Sequence, residues 1–144
     1  MKTLQIAILG GSEDAVLVGL KNFPAHKIVL VSLDEALEAA DKLAGRLADA
    51  LKLEVDVQEI KDATVPTVLE AVASILKKES KFENVVINVG SAGKHLTCAG
   101  VTAAFVNGIK AFDVMGDEPM MLPVLKLSFT EILSDPKIEI LHAL

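Results

Sequence analysis

The sequence predicts an α/β fold: a mostly parallel six-stranded sheet with helices on both faces and its last strand antiparallel. Three observations predict it. Short apolar runs alternate with amphipathic stretches in the order β-α-β-α-β-α-β-α-β-β, the signature of parallel strands joined by helical crossovers. Two of the runs, Ile28-Val29-Leu30-Val31 and Val85-Val86-Ile87, have no polar alternation and read as strands covered on both sides. The last connection, Gly116-Asp117-Glu118-Pro119, is too short for a crossover, so the strand after it runs antiparallel.

Each element follows from its pattern. Thr3 to Leu9 is a first strand ending in Gly10-Gly11. Glu13 to Phe23 carries Val16, Leu17 and Leu20 at helical spacing, with Ser12 as N-cap. Lys27 to Leu33 is the second strand, and Ser32 with Glu35 fits a capping box for the next helix. That helix shows Leu37, Ala40, Ala44, Leu47 and Leu51, spaced 3, 4, 3, 4. Leu53 to Ile60 alternates Leu53, Val55 and Val57 against Glu54, Asp56 and Gln58, which predicts a half-exposed strand at the sheet edge. Pro66 suits a first helical turn, Thr67 and Glu70 form a second capping box, and Val68, Leu69, Val72, Ile75 and Leu76 give that helix its buried face. Asn84 to Val89 is the fourth strand. The following helix, about His95 to Asn107, contains Ala99, Gly100, Ala103 and Ala104, small residues that let it lie close to the sheet or to a twin. Ile109 to Met115 and Met120 to Leu127 complete the sheet.

The totals narrow the function. A chain of 144 residues fits one domain of roughly 100–200 residues. Hydrophobic residues make up 51% and mean hydropathy is +0.47, yet no apolar run approaches the ~18 residues of a membrane span. The surplus fits a doubly covered sheet plus a homodimer interface, and no membrane partner is expected. The N-terminus lacks the charged-then-apolar pattern of a secretion signal, and Cys98 is the only cysteine, so the expected location is the cytoplasm. With net charge −6 and no basic cluster beyond Lys77-Lys78, this segment is not expected to grip duplex nucleic acid. A small anion remains compatible with a locally positive site.

Two glycine-bearing loops stand at the carboxyl ends of strands, where open α/β sheets bind ligands. One is Gly10-Gly11-Ser12, with Asp14 just beyond; the other is Gly90-Ser91-Ala92-Gly93, leading into Lys94 and His95. Neither matches G-x-x-x-x-G-K-[ST] or G-x-G-x-x-G, which removes the P-loop and dinucleotide readings, and no cofactor is expected. His26, His95, His142 and Cys98 lack metal-ligand spacing, so no metal site is expected, and Cys98 reads as a small core residue. Lys94 offers point charge, and the loop amides of Gly90 to Gly93 with the helix start offer directed donors, to something anionic.

At Asn88-Val89-Gly90-Ser91-Ala92-Gly93-Lys94 the chain resembles the N-V-[ST]-x-G-[ST]-[KR] signature of CARF domains, the CRISPR-associated Rossmann fold. The loop Gly10 to Asp14 is similar to the family's other ligand loop, and Lys27 to Ser32 fits its second strand. The resemblance spans about residues 3 to 127, with Gly90 and Ala92 standing where many members carry a hydroxyl residue or a Gly. It implies a Rossmann-like homodimer binding cyclic oligoadenylate, most often the four-membered ring, in a two-fold groove. Gly10, Gly11, Ser12, Asp14, Asn88, Gly90, Ser91, Ala92, Gly93, Lys94 and His95 would line it, with Asn88 either fixing the loop or bonding a base edge. Residues 128–144 read as a linker and the start of a winged helix-turn-helix domain, Ser134 to Leu144 being similar to such a domain's first helix; a short capping helix is the simpler alternative. The chain thus resembles the sensor half, residues 1–127, of a CRISPR-associated transcriptional regulator that meets DNA only through its C-terminal domain. Two alternatives stay open: a metal-independent ring nuclease using Ser12 and Lys94, and a ligand-free dimerisation module.

Overall fold

The computed structural model describes residues 2–10 and 13–122. Expectations that fall on Gly11, Ser12 and residues 123–144 therefore lie outside the described residues. Strands β1 (Thr3–Ile8), β2 (Lys27–Leu33), β3 (Glu54–Ile60), β4 (Asn84–Asn88), β5 (Lys110–Met115) and β6 (Glu118–Met121) form one sheet in the order β3-β2-β1-β4-β5-β6. Every neighbouring pair is parallel except β5 and β6. Helices α1 (Glu13–Asn22), α2 (Leu37–Leu51), α3 (Val65–Lys78) and α4 (Lys94–Asn107) connect them, with a short 3-10 turn at Asp34–Ala36 before α2.

The register explains the two cores. Ile6 lies between Val29 of β2 and Ile87 of β4, and all three point to the face covered by α3 and α4. Val68, Val72 and Ile75 of α3 and Leu96, Ala99, Ala103 and Ala104 of α4 close over them. Side chains one position on, Ala7, Ile28 and Leu30, point the other way and meet Val16 and Leu20 of α1 and Leu43 and Leu47 of α2. Burying each branched side chain contributes about 1.5–3 kcal/mol. The alternation predicted for β3 places it at an edge, as observed.

Several local expectations are corrected. Ser32 does not cap a helix: it lies within β2, and its hydroxyl donates to the Leu33 carbonyl at 3.0 Å. The Thr67–Glu70 box does not form either. The N-cap position of α3 is Thr64, three residues earlier, and Asp62 organises the entry by accepting from the Thr64 amide at 3.1 Å and hydroxyl at 2.6 Å. The final turn is tighter than expected. Gly116 and Asp117 alone form it, with φ +65° at Gly116, so Glu118 and Pro119 already belong to β6. Cys98 is exposed on the outer side of α4 and is not a core residue.

One buried polar group went unforeseen. The Lys27 side chain is only 6% exposed, and its ammonium meets Glu79 at 2.5 Å, Asp56 at 2.8 Å and Glu54 at 3.4 Å. Burial alone would pull its pKa down, but the hydrogen bonds and charges of Asp56 and Glu79 outweigh that and raise it. This cluster sits at the amino end of β2, opposite the carboxyl rim.

Candidate functional site

The carboxyl ends of β1 and β4 are neighbours, and the chain leaves them in opposite directions: β1 leads toward β2, β4 toward β5. This is the switch point at which open α/β sheets form a crevice. Both sequence-predicted loops meet there. The Gly10 amide donates to the Ser91 hydroxyl at 3.4 Å. A Cβ on Gly10 would lie 2.5 Å from the Gly93 nitrogen and 2.6 Å from the Ser91 carbonyl oxygen. Only a residue without a side chain allows this backbone contact.

Asn88 fixes the second turn from below. It is fully buried; its Oδ1 accepts the Gly90 amide at 2.8 Å, and its Nδ2 donates to the Ala15 carbonyl of α1 at 3.0 Å. Of the two roles the sequence offered it, loop fixing is the one these contacts serve. Gly90 packs so closely on Val114 of β5 that a Cβ would come within 2.8 Å. Ser91 is buried beneath the turn. The Ala92 amide donates to the Val89 carbonyl at 3.1 Å, so two of the loop amides expected to serve a ligand are spent inside the turn. The available donors are those of the first turn of α4, whose N-cap Gly93 supplies no side-chain cap.

Facing solvent at this point are Gly10, Asp14, Gly93, Lys94 and His95, while Ala92 is half-buried. The space before Gly93 is open: a Cβ there meets nothing within 4 Å. The Lys94 ammonium has no ion-pair partner among the described residues. Helix α4 has no acidic residue in its first turn, so the positive end of its dipole is uncompensated.

The rest of the rim is acidic, which the sequence reading missed. Asp34, just past β2, shares a hydrogen bond with Glu59 near the end of β3, and that bond together with the Asp34 charge raises the Glu59 pKa. Between α1 and α2 lies an open hollow of about 780 Å³ bordered by Glu13, Glu35, Glu38, Asp41 and Asp49, with Lys42 and Arg46. Glu13 is paired with Arg46 across it. The parallel register of β2 and β3, which aligns Ser32 with Glu59, is what brings Asp34 near Glu59; two strand ends carrying acids were the available signal. The β2–β3 half of the rim thus carries most of the carboxylates, while Lys94 and the start of α4 stand at the β1–β4 half. Among the described residues no group of His, Cys, Asp and Glu is placed to hold a metal ion, and no helix is long and apolar enough to cross a membrane.

The fold is shared with solved structures. Protein VC1899 from Vibrio cholerae superposes with TM-score 0.72 at 13% identity, over 84% of this chain and 33% of that one. Can2 from Sulfobacillus thermosulfidooxidans, solved in complex with cyclic tetra-adenylate, gives 0.71 at 13% identity, over 83% and 34%. A type III CRISPR defence DNA nuclease activated by cyclic oligoadenylate gives 0.62 at 13% identity, over 84% and 20%. The chain spans about a third of the length of the first two and a fifth of the third. No curated protein sequence matches it. The sequence does match the model of a protein family over residues 3–119, nearly the whole of the sheet and helices described above, and the chain belongs to that family, HFX_2341_N:-like, N-terminal.

Proposed function

We propose that this chain is a CARF-type sensor domain that binds cyclic oligoadenylate, with cyclic tetra-adenylate as its ring, in a groove shared by two copies. The observation that carries the reading is the contact at Gly10. Two loops singled out for ligand binding, separated by some eighty residues of sequence, touch at the switch point beside an exposed Lys94 and an uncapped helix start. The fold shared with a structure solved around cyclic tetra-adenylate supports the ligand class. Lys94 supplies charge to the phosphates, and the first amides of α4 supply directed donors. One helix start contributes only about 0.3–1 kcal/mol, so useful affinity needs the loops of two copies around one ring. The role as sensor of a winged-helix regulator rests on the resemblance at Ser134 to Leu144, which lies outside the described residues.

Calorimetry with cyclic tri-, tetra- and hexa-adenylate tests the proposal. The expected result is binding of the tetramer with one ring per two chains. Silence from all three rings overturns it and favours a ligand-free dimerisation module, the reading to which the carboxylate-lined hollow between α1 and α2 lends weight. Incubating labelled ring with the protein in EDTA separates sensing from cleavage: intact ring after hours is the expected outcome, and cleaved ring would point to the nuclease chemistry assigned to Ser12 and Lys94.

A further inference from the structure

The parallel sheet sorts charge between its two rims. Five strands run the same way, so their first residues share one rim, and the crossover helices end there as well. Lys2 stands just before β1, Lys81 shortly before β4, and Lys110 opens β5, while Lys21 and Lys77 lie in the last turns of α1 and α3. All five are exposed, and none has an ion-pair partner among the described residues. Glu83 is the only exposed carboxylate beside them among the described residues. Helix ends favour cations, which accounts for Lys21 and Lys77. It does not account for Lys2, Lys81 and Lys110, which belong to the three neighbouring strands β1, β4 and β5. The β2–β3 end of this rim is different: Lys27, Lys52 and Lys78 stand there with Asp49, Glu54, Asp56 and Glu79.

A recess opens among these lysines. Between the end of α1 and strands β4 to β6 lies a hollow of about 420 Å³ with Phe23, Pro24, Val86 and Met121 as its apolar wall. Its polar wall carries Lys110 with Thr3, Asn22 and Asn84. The Phe23 ring is braced by Phe112, with ring centroids 4.6 Å apart. Asn84 donates to the Thr3 hydroxyl at 3.2 Å and Asn22 to the Val18 carbonyl at 2.9 Å. Each amide bonds through its nitrogen, so its oxygen and a second N–H remain for a ligand. A braced aromatic ring, apolar sides, amide groups and a neighbouring ammonium suit an unstacked base and its phosphate.

We propose that this amino rim binds single-stranded nucleic acid, with one base in the hollow beside Phe23 and the flanking phosphates on Lys2, Lys21, Lys81 and Lys110. The site lies at the opposite end of the strands from Gly10 and Lys94, and it stands whether or not the carboxyl rim takes a ring. The net charge of −6 does not oppose it, because the carboxylates gather at the other rim and beside β3 and leave the β1–β4–β5 end locally positive. Strands β1 and β5 stand two strand spacings apart, about 10 Å, so flexible lysines on them reach along a short run of phosphates. A duplex keeps its bases stacked and has none to place in the hollow, which selects a single strand. A lipid surface is the poorer match, since Phe23, Pro24 and Val86 line a recess and do not project for insertion. With about four phosphates neutralised, the logarithm of affinity falls with the logarithm of salt at a slope of about −3, or about fiftyfold between roughly 50 and 200 mM.

Fluorescence anisotropy of a labelled oligothymidylate of about 12 nucleotides, titrated with the full chain at several salt concentrations, tests this. The variants are Lys21→Glu with Lys110→Glu together, Met121→Trp to fill the hollow, and Lys42→Glu on α2 as a control. The expected result is binding by the parent and the control with a slope of about −3, and a slope of about −1.5 for the lysine pair. Met121→Trp should weaken binding with the slope unchanged. Melting curves should stay put in all three, since each substituted side chain is exposed. Excess cyclic tetra-adenylate should leave the bound oligonucleotide in place, and a duplex of equal length should bind more weakly. No binding by the parent at about 50 mM salt, or parental binding by the lysine pair, overturns the proposal and leaves these lysines as balance for helix ends. Parental binding by Met121→Trp, equal affinity for the duplex, or displacement by the ring overturns it too, the last by moving the oligonucleotide to the carboxyl rim.

Discussion

Replacing Gly10 by Ala tests whether the two loops are one site. The added Cβ would sit 2.5 Å from the Gly93 nitrogen, 2.6 Å from the Ser91 carbonyl oxygen and 2.8 Å from the Ala92 carbonyl carbon. All three are backbone atoms, so no side chain can swing aside. Reaching an ordinary contact of 3.4 Å or more requires the turns to part by about 1 Å. Overpacking of this kind costs about 1–3 kcal/mol, a fall in Tm of roughly 3–10 °C for a chain of this size. It also weakens the bond from the Gly10 amide to Ser91 and moves the start of α4 relative to β1. Gly93→Ala is the matched comparison. Its Cβ meets nothing within 4 Å, so the fold loses only about 0.5 kcal/mol as N-cap preference, while the methyl group intrudes where a ligand would approach. Differential scanning calorimetry and ring titration on both variants give the answer. The expected pattern is a lower Tm with weaker binding for Gly10→Ala, and a near-parental Tm with weaker binding for Gly93→Ala. If Gly10→Ala keeps the parental Tm and affinity, the turns do not touch and the reasoning from this contact fails.

Three further outcomes are expected. Lys94→Ala removes an exposed ammonium without an ion-pair partner among the described residues, so ring titration should show most of the affinity lost while the melting curve stays put. Glu79→Gln strands the Lys27 ammonium with Asp56 and Glu54, which are 45% and 59% exposed, and urea titration should show about 3 kcal/mol lost, recovered in part by adding Lys27→Met. Bonds from the Thr64 hydroxyl, the Thr67 hydroxyl and the Thr64 amide hold the Asp62 carboxyl down from 3.8 to about 2. Because its pKa is depressed on folding, its contribution is complete above the unfolded value and drains away as pH falls from about 4 to 2, a slope that Asp62→Asn should flatten in acid titrations followed by circular dichroism.

The sheet was legible because its signals are periodic and local. Doubly covered strands read as apolar runs, Glu54, Asp56 and Gln58 marked β3 as an edge, and the shortness of the last connection set the direction of β6. The loops were legible because a strand end followed by glycine is a place rather than a shape, and the fold brought both places together at Gly10. Capping was read wrongly at Ser32 and Thr67 because S/T-x-x-E also occurs by chance. The entry to α3 is ordered instead by Asp62, two residues before Thr64, whose carboxylate accepts from the Thr64 amide and hydroxyl. Cys98 was misplaced because α4 has no polar stripe to set its phase. The Lys27 cluster was out of reach for another reason: Glu79 comes from 52 residues away, and no local pattern encodes that encounter.

The ammonium sealed at the start of β2 and the glycine turns beyond β1 and β4 occupy opposite edges of the same sheet. The buried ion cluster and the proposed recognition site for the ring therefore have separate addresses in this molecule. A designer can recharge the exposed positions Gly93, Lys94 and His95 with that foundation left intact, whereas Gly10 and Gly90 beneath them tolerate no added side chain.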